Sequence, residues 1–238
     1  MEPGFPSSPS NEAQREARDR AALRACLQVP AALLLATAVY ATVRYVVFGP
    51  WPVGHIPVYV LNKAVSWTAL TLLALALGLG PAARLWPTRF GMHLWRRRYW
   101  GLAGFVLATA HIVLSLAILN YGYYRSFFRQ AFEFTPIAEF AMLCGALTWL
   151  TLLAPAVASL PGVRAAMSAR YWGRLQAIGR LALVFAVLHL SYAVPGWFTP
   201  AQWPGGLPPI TLWSALTALV ALGLRLLVWP NRHRGPEA

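Results

Sequence analysis

The sequence predicts an all-α integral membrane protein built as a bundle of six transmembrane helices. Of its 238 residues, 58% are hydrophobic and only 11% are charged. The apolar residues fall in runs of about twenty, which is the length that crosses a hydrocarbon core. The net charge of +13 could indicate nucleic-acid binding, but most of the arginines flank the apolar runs, as topology-determining residues do. We therefore expect the protein to lie in a lipid membrane, and we expect no nucleic acid as a partner.

Six spans are expected, and turn-forming or capping residues mark several of their ends. Gly49 and Pro50 follow the first span, Gly80 and Pro81 follow the second, and Thr135 is placed to cap the fourth. A signal peptide is not expected, because its apolar region would lie much nearer the first methionine. The expected domains are a polar segment with a disordered start and a short helix (1–25), the transmembrane domain (26–230) and a tail (231–238). The spans cover residues 29–48, 57–79, 99–120, 136–160, 175–194 and 210–229.

The distribution of arginines between the loops predicts the orientation of the bundle. The amino-terminal segment carries 4 Lys or Arg residues, the loop after span two carries 5, the loop after span four carries 3 and the tail carries 2. The loops after spans one and five carry none, and the loop after span three carries only Arg125 and Arg129. Because Lys and Arg are enriched in cytoplasmic loops, both termini are predicted to be cytoplasmic.

Two histidines lie inside the third and fifth predicted spans. An ionisable residue is costly in hydrocarbon and is a candidate functional residue by default. The helical rise places His111 and His189 each about 18 to 21 Å from the cytoplasmic face, so both lie at one level in the outer half of the membrane. Small residues at helical spacing share a face with each histidine and predict a flat slot between the helices. They are Gly104, Ala108 and Ser115 around His111, and Gly179, Ala182 and Ala186 around His189.

This pair has two interpretations. Small residues also serve close helix packing, and a histidine can simply form a hydrogen bond between helices. Two histidines at one depth favour a ligand pair, because neutral imidazole is the common axial ligand of haem iron. One bis-histidine haem b, suited to electron transfer, is therefore expected. The alternative is a haem-free small transporter or membrane scaffold whose histidines join a proton path, although Glu139 is the only acidic residue within the spans.

Other residues near the outer face are secondary candidates. Arg44 and Lys63 could neutralise haem propionates, or they could extend to the lipid headgroups. His55 and His93 are interpreted as solvated loop residues, and the two cysteines, Cys26 and Cys144, as small core residues. The aromatic stretch 121–134 and the uncharged loop 195–209 are expected at the membrane interface, and the loop could alternatively dock an external partner.

Two segments resemble the ferric-reductase-like transmembrane domain family. Residues 96–111, RRRYWGLAGFVLATAH, resemble its basic residues, Gly-Leu pair and helix-three histidine, and residues 172–189, WGRLQAIGRLALVFAVLH, resemble its fifth-helix segment. The resemblance covers spans two to six. Short bacterial members of this family include the haem-binding membrane subunit of a periplasmic methionine sulfoxide reductase system. The resemblance implies iron-dependent electron transport in a bacterial inner membrane, by a subunit of an oxidoreductase.

One departure from the family pattern changes the expected number of haems. Gln176 stands thirteen residues before His189, where the family has another histidine, and Arg97 and Arg98 precede His111 at the corresponding spacing. The resemblance therefore implies one haem instead of two. The chain has no dinucleotide-binding motif, so electrons are expected from a separate cytoplasmic flavin reductase or from quinol. An extracytoplasmic protein or metal complex is the expected acceptor, and a stand-alone ferric or quinone reductase is a further alternative.

Overall fold

The computed structural model describes residues 9–130 and 132–228, without the side chains of residues 9–23, 25 and 161. Within this part of the chain, six helical stretches are long and apolar enough to cross a membrane. This confirms the prediction of an all-α membrane bundle. The stretches are Cys26–Val47, Val53–Leu85, Arg96–Ala117, Pro136–Ala158, Ala169–Trp197 and Pro204–Val228.

The long helices are joined by short helical turns and one small hairpin. The α-helices are α1 (Pro9–Thr42), α2 (Leu61–Leu85), α3 (Pro87–Phe90), α4 (Arg96–Ala117), α5 (Pro136–Ala158), α6 (Pro161–Ala165), α7 (Ala169–His189), α8 (Val194–Trp197) and α9 (Ile210–Val228). Strands β1 (Phe128–Gln130) and β2 (Glu133–Phe134) form an antiparallel pair between α4 and α5. The π-helical turns are Val43–Val47 and Ile56–Val60; the 3-10 turns are Val53–His55, Gly91–His93, Arg125–Phe127, Leu190–Ala193, Pro200–Gln202 and Pro204–Gly206.

The expected start of α5 is confirmed. The Thr135 hydroxyl oxygen accepts a hydrogen bond from the Ala138 backbone N–H at 3.3 Å, and Pro136 occupies the first helical position. A cap that was not expected begins α7, where the Ser168 hydroxyl oxygen accepts from the Tyr171 N–H. This helix therefore starts six residues before the predicted position 175.

The predicted end of span two at Gly80 and Pro81 is wrong, because α2 continues through both residues to Leu85. A proline removes one backbone hydrogen bond, whereas ending the helix inside the hydrocarbon would leave several backbone groups unpaired. The glycine makes room for a neighbouring side chain. A Cβ atom on Gly80 would lie 3.1 Å from Nη1 of Arg97, whose Nε donates to the Ala76 carbonyl at 2.9 Å.

The first helix also differs from the expectation. The polar residues from Pro9 onward are helical and run without a break into the first span as α1. The remaining part of the predicted disordered start (residues 1–8), the end of span six at Trp229 and the tail at 231–238 lie outside the described residues. Both cysteines are buried, as expected of small core residues.

Helix α2 is the centre of the bundle. In the most apolar 18-residue segment of its span, 67% of the residues are buried, against 11–28% in the other five spans. It packs against α1, α4 and α9, while α5 and α7 form a second closely packed pair. A glycine permits the close approach of α4, since a Cβ atom on Gly104 would lie 2.8 Å from Cγ of Leu73 and 3.2 Å from the Ala69 carbonyl oxygen. We call the end where α2 begins and α4 and α7 finish the histidine end; the other is the arginine end.

The tight contact at Gly104 predicts that Gly104→Ala destabilises the protein. The added methyl group must displace Leu73, and such overpacking costs about 1–3 kcal/mol. Gly173→Ala is the matched control, because Gly173 lies in α7 with nothing within 4 Å of the added atom. Thermal unfolding in detergent measures both variants. If Gly104→Ala unfolds at or above the temperature of Gly173→Ala, the close packing of α4 on α2 is contradicted.

Candidate functional site

His111, in the last third of α4, is held by an asparagine of α2. Its Nδ1 lies 2.6 Å from Oδ1 of Asn62, a side chain that is fully buried. The Asn62 amide nitrogen donates to the Ser115 hydroxyl at 3.0 Å and to the Tyr124 hydroxyl at 3.1 Å. This network assigns Oδ1 as the acceptor, so Nδ1 of His111 carries the proton. The lone pair of the imidazole is therefore on Nε2.

His189, the last residue of α7, is held by a backbone carbonyl of α5. Its Nδ1 donates to the carbonyl oxygen of Ala141 at 2.7 Å. A carbonyl can only accept, so this imidazole also carries its proton on Nδ1 when neutral. Gly145 leaves room for the ring, since a Cβ atom there would lie 2.9 Å from Nδ1 of His189. The two histidines thus have the same tautomer. In His111 the acceptor of the Nδ1 proton is a side-chain amide, and in His189 it is a backbone carbonyl.

The two imidazoles form a pair in space. His189 and Lys63 are both near enough to His111 to act on it electrostatically, and Lys63 also acts on His189. In the described part of the chain, Nε2 of neither histidine has a hydrogen-bond partner. A neutral imidazole whose Nδ1 is bonded to an acceptor is the form that ligates a metal through Nε2. Each imidazole therefore presents a nitrogen of the kind that ligates a metal.

Lys63, one residue after Asn62, places a cation beside the pair. Its Nζ lies 5.2 Å from the ring centroid of Tyr59 and 5.1 Å from that of Tyr124. These cation–π contacts compensate only part of the cost of burying an ammonium group. Among the residues that the structure describes, no carboxylate pairs with Lys63. The site therefore offers a positive charge to an anionic group of a ligand.

Aromatic rings cover the histidine end above this cation. The ring centroid of Trp51 lies 4.6 Å from that of Tyr59 and 5.4 Å from that of Tyr123, and the ring of Tyr192 lies 6.1 Å from that of His189. Burial raises the pKa of the Tyr124 hydroxyl. The rings cover the histidine pair only in part, since His111 and His189 are both partly exposed.

Arg44 binds the loop that precedes α9 at the histidine end. Its Nη1 donates to the carbonyl oxygen of Leu207, and the side chain is only 7% exposed. The Tyr40 hydroxyl donates to the neighbouring Pro208 carbonyl at 2.7 Å. The first span therefore fastens the segment that precedes α9. This contact accounts for Nη1 of Arg44, and a role for Arg44 toward a cofactor stays a prediction.

The small residues predicted to form a slot serve mainly as packing surfaces. Gly104 contacts Leu73 of α2, and Ala182 and Ala186 of α7 belong to a buried cluster with residues of α2, α5 and α9. Ala108, one turn before His111, is half-buried. Contacts of these four residues with a cofactor stay predictions, and the space that the structure shows beside a histidine is created by Gly145.

Gln176, at the arginine end, is engaged within the protein. Its amide nitrogen donates to the Pro155 carbonyl at 3.2 Å and to the Ser159 hydroxyl at 3.1 Å. On the opposite pair of helices, Arg97 donates to the Ala76 carbonyl. The family resemblance assigns a second set of ligands to the positions of Gln176, Arg97 and Arg98, and the first two of these side chains form internal hydrogen bonds instead. The prediction of one haem stays untested.

Sequence reasoning missed Asn62 and Gly145. Asn62 carried a usable signal, because an amide inside a span needs a partner as much as a histidine does. Gly145 carried none, since glycine is frequent in membrane helices. His55 also differs from the solvated residue that was expected: its ring packs 5.0 Å from Trp51 and 5.3 Å from Tyr123.

A scan against protein-family models finds no match to this chain, and a search of curated proteins finds none either. The resemblance of residues 96–111 and 172–189 to the ferric-reductase-like family therefore stays a prediction. A function must be argued from the geometry of the histidine pair and its surroundings.

The network around Asn62 predicts that Asn62→Leu destabilises the protein by about 1–3 kcal/mol, because the buried N–H of His111 loses its acceptor. Ser66→Ala is a suitable control, since the Ser66 hydroxyl bonds only to the Lys63 carbonyl of its own helix. Denaturation in detergent measures both free energies of unfolding. Equal stability of the two variants would show that Asn62 does not hold α4 to α2.

Proposed function

We propose that this protein is a membrane b-type cytochrome that transfers electrons through one haem ligated by His111 and His189. The observation that carries the proposal is the matched state of the two imidazoles. Each Nδ1 is committed to an acceptor of a neighbouring helix, at 2.6 Å and 2.7 Å, and each Nε2 is left for a ligand. Metal-ligating histidines are typically oriented by such a second hydrogen bond.

Different residues of the chain have different roles at such a site. His111 and His189 ligate, while Asn62 and the Ala141 carbonyl keep both rings in the ligating tautomer and orientation. When bound, the haem supplies an iron that alternates between the ferric and ferrous states and so passes one electron at a time. Lys63, which lies against the rings of Tyr59 and Tyr124, would offer its charge to a propionate. With two histidines as ligands, such a site would favour outer-sphere electron transfer over oxygen binding.

The proposed topology follows from the arginine counts. Both termini are cytoplasmic and the histidine end faces outward. The proposal of a bacterial inner membrane rests on the family resemblance alone. Electrons then enter from a cytoplasmic flavin reductase or from quinol, and they leave to an external protein or metal complex. Labelling of single cysteines introduced at Gly54 and Gly162 from either side of the membrane tests this orientation. Labelling of Gly54 from the cytoplasmic side would contradict it.

The proposed role is that of an electron-transfer subunit with a single haem, as the resemblance to the ferric-reductase-like family implies. The motif resemblance and the separate evidence of the hydrogen bonds at His111 and His189 support the same ligand pair. The haem-free alternative is less well supported, because a proton path needs acidic relay groups within the bundle. Glu139 lies in the first turn of α5 and is exposed.

The purified protein is expected to show a b-type α band after dithionite reduction, with one haem per chain by the pyridine haemochrome assay. His111→Ala and His189→Ala should each remove most of this absorption, because each deletes an axial ligand. His55→Ala is the control and should keep it. Absence of the band in the wild type, or its persistence in both ligand variants, would refute the proposal, and two haems per chain would show that the arginine end also binds one.

Lys63→Met is expected to lower the midpoint potential of the haem. A buried positive charge stabilises the reduced state, which carries one positive charge fewer than the oxidised state. Lys63→Arg keeps the charge and should keep the potential near that of the wild type. Redox titration followed at the α band measures the shift. An unchanged potential in Lys63→Met, with the band intact, would reject the role of Lys63 without affecting the ligand assignment.

A further inference from the structure

The last turn of α2 and the first turn of α4 bring two arginines together at the arginine end. Ala76, Gly80 and Arg84 follow one another at intervals of four residues, so they share one face of α2. Arg97, in the first turn of α4, lies along this face. Its Nε donates to the Ala76 carbonyl oxygen at 2.9 Å, and its Nη1 would lie 3.1 Å from a Cβ atom on Gly80. Arg84 is the next residue of the same face, and it acts electrostatically on Arg97.

The positive charge of this pair is not balanced within the described part of the chain. No carboxylate among the described residues pairs with Arg84 or Arg97, and the first turn of α4 contains no acidic residue. Three arginines form that turn, although the partial positive charge at the start of a helix favours anions over cations. Two further nitrogens there, Nε of Arg96 and Nε of Arg98, are buried and have no hydrogen-bond partner. Like charges held together in this way are destabilising unless an anion lies beside them.

The pair lies at the level of lipid headgroups. Arg84 stands at the end of one membrane-length helix and Arg97 at the start of the next. Gly80, which the guanidinium group of Arg97 contacts, is five residues before the end of α2, or about 7 Å along the helix. The interfacial layer on each side of a bilayer is similarly thick, about 5–8 Å. Because Arg84 is exposed and Arg97 is half-buried, a headgroup in this layer can reach both side chains.

We infer that Arg84 and Arg97 bind the phosphate group of one anionic phospholipid, between the last turn of α2 and the first turn of α4. Guanidinium groups match the oxygen atoms of a phosphate, and basic sites between membrane helices bind lipid headgroups. A soluble phosphate offers the same oxygen atoms, but it would have to leave the water to reach this level of the bundle. The inference does not depend on the proposed function, because the site lies at the opposite end of α2 from Asn62 and Lys63.

Native mass spectrometry of the full-length protein in neutral detergent tests this inference, with phosphatidylglycerol and phosphatidylcholine as the probes. The wild type should bind one phosphatidylglycerol at least tenfold more tightly than phosphatidylcholine, and Arg84→Gln should lose at least tenfold of that affinity. Arg170→Gln is the matched control and should keep the affinity, because it removes an exposed arginine of the same end at the start of α7. Equal binding of the two lipids by the wild type, or equal affinities for phosphatidylglycerol in the two variants, would overturn the inference.

Thermal unfolding of the delipidated protein separates lipid binding from a purely structural role of Arg84. Without lipid, Arg84→Gln should unfold at or above the temperature of the wild type, because the repulsion on Arg97 is removed. Phosphatidylglycerol should raise the unfolding temperature of the wild type more than that of Arg84→Gln, because a ligand stabilises the folded state to which it binds. An equal rise in both proteins would overturn the inference. An equal rise of the wild type with inorganic phosphate in place of the lipid would also overturn it, since the site would then take a soluble anion.

Discussion

The hydrogen bond between His111 and Asn62 is the interaction on which the arrangement of the site depends. Neither group can turn to water within the bundle, so each requires the other, and this requirement fixes how α4 sits on α2. Gly104 makes the approach possible, because any larger residue would meet Leu73 first. His189 repeats the principle on the second helix pair, with a carbonyl of α5 in place of an amide. The orientation of both imidazoles is thus a property of helix packing, present before any ligand arrives.

Polar groups at the two ends of the bundle have different partners. At the arginine end, the side chains of Gln176 and Arg97 donate to carbonyl oxygens of neighbouring helices. At the histidine end, acceptors on neighbouring helices take the Nδ1 proton of each imidazole, and no donor in the described part of the chain reaches either Nε2. Lys63 contacts two aromatic faces and pairs with no carboxylate among the described residues.

Glycines at three positions of the bundle each admit a neighbouring side chain. Gly104 and Gly80 allow a leucine and an arginine, respectively, to come close. Gly145 likewise leaves the space in which the ring of His189 lies. A helical face of small residues therefore predicts proximity, and the neighbouring helix decides which side chain occupies the space.

The sequence by itself determined that there are six spans in the described part of the chain and that Thr135 caps the fourth. These features depend on hydropathy and on local capping, each of which is contained within one segment. Only the tertiary structure decided that Asn62 and the Ala141 carbonyl hold the histidines, that Arg44 binds Leu207, and that α2 continues past Pro81. Each of these depends on which helix lies alongside and on its rotation. A partner that is a backbone carbonyl leaves no trace in the sequence, because every residue has one.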